Sequence, residues 1–490
     1  MNTETPKALR ESSYLQKPEQ LKRRLSNRHI QLIAISGAIG SGLFLGAGKT
    51  IHAAGPSIVL VYMLIGFFLF FLMRAMGELL LSNLNYRSFA DFASDLLGPW
   101  AGFFVGWSYW FCWVVIATAD VIVIVGKYLP FWFPELSPWL PALFLIMLFL
   151  GLNLLSVKLY GETEFWFSMI KIITIFILVG VGLFLIATSF KSVVIPPFDS
   201  FSNMKIYIVE ASVSNIWSHG GIFPNGWGGF FAGFQLAIFS FVGLELVGTT
   251  AAEAKDPYTT LPRAINSIPF RIIFFYVFAL LAIICVTPWN LINPSQSPFV
   301  EMFKLVGLAT AAGMVNFVVM TSAASSANGG IYSTSRMLYG LAQSGVAPRM
   351  FGRLSRYSVP ASALVFSCIC ITIGSAIVLV AEDAMTAFVI VTSVATVLFL
   401  FIWSVILASY IVYHKKSPEK HVASKYKMPG GVFMAWLTAA FFLFALVLLL
   451  FDDETRLALF ITPVWFLILG FAYWRIKCKI RRKIAEHHQC

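Results

Sequence analysis

Charge is scarce in this chain. Only 12% of its 490 residues are Asp, Glu, Lys or Arg, about half the roughly 25% of a soluble domain. Cysteine and histidine are scarce as well, at six and seven residues. The cysteines (Cys112, Cys285, Cys368, Cys370, Cys478 and Cys490) show no metal-ligand spacing. Cys368 and Cys370 stand two apart inside an apolar run, so on a helix they face different directions. They read as small packing residues and reduced thiols. Without a His, Asp or Cys cluster at membrane depth an embedded enzyme is not expected, nor is a metal or a cofactor. A cleavable signal peptide is not evident either, because residues 1–28 are polar and basic. Selectivity rings that would suggest a channel are lacking, and the tails are short for a nutrient sensor.

What is present is apolar. Hydrophobic residues make up 58% of the chain, and the mean hydropathy is +0.80. Twelve runs of about 20 residues are long enough to span a bilayer. They lie near 31–51, 57–81, 100–129, 139–158, 164–188, 229–251, 269–289, 305–335, 361–381, 384–413, 431–451 and 457–475. The fold class is therefore an all-α polytopic membrane protein: a tail at 1–28, a membrane domain at 29–475 and a second tail at 476–490. Short loops leave no room for a soluble catalytic domain.

Basic residues set the expected orientation. If the N-terminus is cytoplasmic, the outer segments hold only Lys49, Lys127, Lys191, Lys205, Lys304 and Arg456 of the 35 Lys and Arg residues. Lys171 lies inside a span, and the rest fall on the cytoplasmic side. An even number of spans with both termini inside follows. The net charge of +12 reflects this bias and suits anionic lipid. Its dispersal over many loops argues against nucleic acid.

Two runs are interrupted at their middle. The first reads Ser36-Gly37-Ala38-Ile39-Gly40-Ser41-Gly42, and each of its three glycines costs a helix about 1 kcal/mol relative to alanine. The second reads Phe239-Ser240-Phe241-Val242-Gly243-Leu244-Glu245. Broken backbone at membrane depth is tolerated where it lines a cavity, and a pair of such breaks in the two halves points to a transporter's binding site. Amides opening the second half of the first helix suit a carboxylate. Carbonyls of the second break suit an ammonium group. Together they describe a receptor for the zwitterionic end of an amino acid. Glycine-mediated helix contact is the alternative for the first break, and aromatic packing for the second.

Several polar residues stand inside the runs. Lys171 is roughly 10 Å deep in the fifth; it is a proton-exchanging group, a fixed charge in place of a coupling sodium ion, or a snorkelling side chain. Glu245 is a proton carrier or an acceptor for nearby amides. Glu78, Glu253 and Asp256 read as ion-pair or gate elements, and His219 as a solvated loop histidine. The small-residue run from Thr321 to Gly330 permits close helix approach or lines a hydrated path. Trp107, Tyr109, Trp110, Phe111 and Trp113 flank a substrate or face lipid.

These stretches resemble those of a known family. From Leu25 to the last span the chain is similar to amino-acid permeases of the amino acid–polyamine–organocation superfamily, in its bacterial amino-acid transporter branch. The resemblance is carried by Gly37-Ala38-Ile39-Gly40-Ser41-Gly42-Leu43-Phe44, Arg74-Ala75-Met76-Gly77-Glu78-Leu79, Glu164-Phe165-Trp166-Phe167 with Lys171, and Glu253 through Pro262. The runs Phe89 to Trp100 and Ser322 to Asn328 resemble those of members handling glycine, D-alanine and D-serine. The resemblance implies five plus five helices in inverted repeat, with the first and sixth broken, and two further helices. The repeats would cover about 29–188 and 229–413, and the extra helices about 431–475. It also implies a substrate site at Ala38, Ile39, Gly40, Ser41, Gly42, Phe239, Ser240 and Val242, and it matches Lys171 to the lysine that stands where sodium sits in sodium-coupled relatives; Lys171 and, from its depth alone, Glu245 are the proton-coupling candidates. Proton symport of small neutral amino acids across a bacterial inner membrane is the expected activity. Exchange, or another amino acid of the same branch, is the alternative. The oligomeric state is left open. Ser36 and Ser41 depart from the pattern, where glycine and threonine are expected, and the loop between the fifth and sixth runs is longer.

Overall fold

A computed structural model describes residues 26–155, 157–194, 207–250, 253–305, 309–379, 384–451 and 453–487. The architecture is helical, as the long apolar runs require. In chain order the elements that frame the site are α1 (Asn27–Ala38), α2 (Ser41–Phe44), α3 (Gly46–Ala54), α4 (Ile58–Ser82), α5 (Phe89–Leu97), α6 (Pro99–Val123), α7 (Trp139–Leu155) and α8 (Val157–Ala187). Then come α9 (Gly226–Ala232), α10 (Phe234–Phe239), α11 (Leu246–Thr250), α12 (Pro257–Asn266) and α13 (Ala279–Val286). The chain continues with α14 (Ala309–Gln343), α15 (Ala361–Leu379), α16 (Ala384–Lys416), α17 (Gly431–Leu448) and α18 (Asp453–His487). One element lies outside the all-α expectation. Lys191–Val194 and Tyr207–Glu210 pair as a two-stranded antiparallel sheet in the long loop. Ser212 N and Asn215 Nδ2 both donate to the Cys285 carbonyl, at 2.9 and 2.8 Å, which ties that loop to the end of α13.

Among the described residues seven helical stretches are long and apolar enough to cross a membrane: Gly46–Ser82, Pro99–Phe131, Leu159–Ala187, Pro257–Val286, Phe388–Lys416, Gly431–Leu448 and Thr455–Lys479. Trp139–Leu155, Gly226–Phe239 and Ala361–Ala376 are shorter apolar helices. The eighth run is the 35-residue α14, whose Ser, Thr and Asn content lowers its hydropathy. Large apolar side chains stay exposed on the outer helices, as with Phe144 on α7, Phe433 on α17 and Phe471 on α18. Such a surface suits lipid rather than water.

The centre is α6, packed against α14, α15 and α16. It begins where α5 ends, at Gly98 with φ +110°, a conformation costly for any other residue. Ser88 caps α5 by accepting from Ala90 N at 3.3 Å. The turn lays α5 tightly on α6: a Cβ at Gly102 would lie 2.6 Å from Ser94 Cβ and 2.7 Å from the Ala90 carbonyl oxygen.

The end rich in Lys and Arg is held by buried polar contacts. Glu78, fully buried, accepts from Met428 N at 2.8 Å and pairs with His421 Nδ1 at 2.6 Å. Arg74 donates to Asn266 Oδ1 at 2.8 Å and stacks over Tyr426. Arg336 Nε donates to Glu253 Oε1 at 3.1 Å, with both side chains buried. Asp256 accepts from Thr259 at 2.6 Å. Glu78, Glu253 and Asp256 are thus ion-pair or local acceptor groups at this end. His219 is exposed in its loop.

Gly102→Ala is expected to destabilise the protein by about 1–3 kcal/mol through overpacking against rigid backbone. Gly151→Ala, where nothing lies within 4 Å, is the control. Thermal unfolding in detergent should fall for the first and not for the second.

Candidate substrate site between two broken helices

Both interruptions appear as breaks in the helices. α1 stops at Ala38, Ile39 and Gly40 are not helical, and α2 starts at Ser41. α10 stops at Phe239, and the chain runs as turns through Ser240–Glu245 before α11. Gly243, at φ +109°, makes the sharpest turn of the second break. Its amide donates to Glu245 Oε2 at 3.1 Å. Glu245 therefore acts as an acceptor for its own break, with the Trp113 side chain also within interaction distance of its carboxylate.

The two breaks touch. A Cβ at Gly42 would lie 2.9 Å from Phe239 Cδ1 and from Ser240 Cα. Only glycine lets the backbones meet so closely. Tyr276 Oη donates to the Ser240 carbonyl at 2.8 Å, and the Tyr62 and Ser240 hydroxyls are 3.0 Å apart. Tyr276 stacks on Phe241 with 4.8 Å between centroids. The first break is held from the other side, where Ser322 Oγ donates to the Ile39 carbonyl at 3.0 Å.

A small cavity of about 10 Å³ lies between them, lined by Gly40, Gly42, Trp113, Ile116, Phe239, Ser240, Val242 and Ser326. That is room for about one water molecule, far below the roughly 300–1,000 Å³ of an open small-molecule pocket, so the two breaks stand closed on each other. Five of its lining residues, Gly40, Gly42, Phe239, Ser240 and Val242, are ones the sequence marks. Ile39 is buried beside it. The side chains of Ala38 and Ser41 lie outside the described residues. Trp113 comes from the aromatic group on α6 and occupies the lining rather than lipid. Trp110 instead donates to Ser367 at 3.0 Å, and Phe111 stacks on Trp465. Ile116 is a cavity residue that sequence reasoning passed over, and Ser326 belongs to the small-residue run of the eighth span.

Lys171 is fully buried on α8 and does not snorkel. Its Nζ donates to Ser325 Oγ at 3.0 Å, next to Ser326 in the cavity wall. Ser325 Oγ in turn donates to Glu164 Oε1. Asn328 Nδ2 donates to Glu164 Oε2 at 3.3 Å, and Asn153 Nδ2 donates to Asn328 Oδ1 at 2.7 Å. Asp120, fully buried on α6, lies within electrostatic reach of Lys171. It was the one acid in its apolar run, a signal the sequence reading overlooked. The small-residue run on α14 serves packing and polar contact together: Gly330 sits under Trp113, where a Cβ would be 2.5 Å from the ring. No cluster of His, Cys, Asp or Glu suited to a metal occurs among the described residues.

Two interrupted helices bring backbone amides and carbonyls together here, the groups that a zwitterion needs. Gly42→Ala should weaken amino-acid binding by roughly 5- to 150-fold, the equivalent of about 1–3 kcal/mol of overpacking. Equilibrium binding to purified protein measures it; wild-type affinity would mean the breaks need not touch.

Known proteins are similar to this chain over nearly its whole length. Residues 29–488 match the family described as amino acid permease. The chain is 59% identical over 455 residues to the D-serine/D-alanine/glycine transporter of Escherichia coli (strain K12), covering 93% of this chain and 94% of that one. It is 49% identical over 455 residues to the amino-acid permease AapA of Bacillus subtilis (strain 168), covering 93% and 95%. The chain belongs to the amino acid permease family, whose members are transporters rather than enzymes.

Proposed function

We propose that this protein imports glycine, D-alanine, D-serine and similar small neutral amino acids by alternating access, driven by protons, across a bacterial inner membrane. The observation that carries the reading is the meeting of two broken helices at one small cavity. The similarity to a transporter of these three amino acids supports the choice of substrate.

The substrate carboxylate binds where α2 starts, at Ser41 and the amides near Gly42, because the first amides of a helix have no intrahelical partner. The ammonium binds carbonyls near Ala38, Ile39, Phe239 and Val242. Gly42, packed against Ser240, lets the backbones come close enough to do both, and Gly40 leaves the space between them open. A grip on backbone groups leaves the α-carbon substituent little to distinguish it, so both enantiomers of a small residue fit. Phe239 and Trp113 limit side-chain size, and extra volume costs roughly 1–3 kcal/mol.

Twelve spans in a five-plus-five inverted repeat with two further helices, both termini cytoplasmic, complete the reading. Charge placement supports that orientation. Rocking of the broken helices against the α6, α8 and α14 scaffold opens the site to each side in turn. Lys171 is the proton carrier in this scheme. Its burial beside the first break couples its charge to the state of the site. Glu245, bonded to Gly243, shapes the second break.

Purified protein in liposomes tests the proposal. Labelled glycine, D-alanine and D-serine should accumulate only with an inward proton gradient, and Lys171→Ala should lose accumulation more than binding. Uptake that ignores the gradient and needs internal amino acid would mean an exchanger. No uptake of the three, with uptake of a larger amino acid, would overturn the substrate assignment.

A further inference from the structure

Between Lys171 and the basic end, the α8–α14 interface holds a line of buried polar groups that substrate binding does not use. On α8 these are Tyr160, Glu164 and Lys171, and on α14 they are Ser325, Tyr332 and Arg336. Their spacings of four and seven residues put each set on one helix face. The first links are Lys171 Nζ to Ser325 Oγ, and Ser325 Oγ to Glu164 Oε1. A Cβ at Gly329 would lie 3.6 Å from Tyr160 Oη and 3.9 Å from Glu164 Oε1, so hydroxyl and carboxylate share one small space. Tyr160 stacks on Tyr332, centroids 3.9 Å apart and 6° from parallel. Arg336 covers the other face of that stack at 3.6 Å and donates to Glu253. Among the described residues the hydroxyls of Tyr160 and Tyr332 and Glu253 Oε2 are buried without a hydrogen bond of normal geometry, and Tyr332 and Glu253 lie within interaction distance of each other. Buried polar atoms left so in a row ask for a role other than packing.

We infer that this seam is the proton's route out: Lys171 gives its proton through Ser325 to Glu164, and the hydroxyls of Tyr160 and Tyr332 pass it on to Glu253 at the basic end. The inference rests on Lys171 as proton carrier. In the first step an N–H bond of the ammonium breaks as Ser325 Oγ gains that proton. Ser325 gives its own hydroxyl proton to Glu164 Oε1. A neutral amine and a neutral carboxylic acid result, and no electron changes hands. The hydrogen bonds already run in the direction of transfer. Asn328 holds the second oxygen of Glu164 and is a positioning residue. The other titratable or charged groups around the seam are Asp120 on α6, Arg336 on α14 and Glu253 ahead of α12.

Three readouts in proteoliposomes test it: gradient-driven accumulation, exchange against internal amino acid, and substrate-induced proton entry followed with an internal pH dye. Glu164→Gln should lower accumulation and proton entry by roughly 100-fold, the scale of a lost proton-transfer group, and leave exchange intact. Glu164→Asp should restore part of the loss. Full accumulation by Glu164→Gln overturns the route. So does equal loss of exchange in folded protein, which marks a structural residue. If Glu164→Gln does not fold, Tyr160→Phe decides. It keeps the ring stack and should slow accumulation while sparing exchange; wild-type accumulation by Tyr160→Phe overturns the route. Lys171→Ala is run beside them. If it accumulates normally, the carrier assignment fails; if it alone fails to accumulate, only the relay falls.

Discussion

A helix that stops halfway through a bilayer leaves backbone N–H and C=O groups that lipid does not satisfy, and each unsatisfied group costs several kcal/mol. Two helices of this chain stop in that way. The fold bears the cost by enclosing both breaks in protein. Gly42 lies against Ser240, Tyr276 takes the Ser240 carbonyl as acceptor, and Ser322 donates to the Ile39 carbonyl. What the protein leaves over is a small cavity walled by backbone, which is also what a zwitterion needs. In the proposed function the interruption and the binding site are one feature.

The same constraint governs the side chains. A buried charge in a membrane protein must be paired or face a polar neighbour. Lys171 meets Ser325, Glu164 meets Ser325 and Asn328, and Arg336 meets Glu253. These contacts join α8, α14 and the chain ahead of α12, so polar groups here fix helix positions as well as chemistry. At the basic end Glu78 ties α4 to the segment before α17 through His421 and Met428 N. Closure of that end therefore depends on contacts between segments far apart in sequence.

Apolar run length made the helical, membrane-spanning character legible, and glycine spacing located the first break. The second break was harder to read, because a single glycine stands in an aromatic context; its pairing with the first gave it away. Lys171 was legible as a charge at depth, but not its partners. Ser325 lies 154 residues from it, so only the packing of α14 on α8 brings it there. Asp120 was missed because the aromatic residues of α6 drew attention to packing. The eighth run blurred for a physical reason: a helix rich in Ser, Thr and Asn loses hydropathy where its polar face is buried against other helices. The small sheet in the long loop had no periodic signal beyond four residues per strand.

A grip on both ends of the amino acid, made by the two breaks, is tested most directly by competition. Labelled glycine binding to the purified protein would be challenged with D-alanine, L-alanine, ethylamine and propionate. Ethylamine lacks the carboxylate and propionate lacks the ammonium. Both alanine enantiomers should displace glycine, and neither truncated analogue should. Displacement by either truncated analogue at alanine-like concentrations would contradict a site built from both helix breaks.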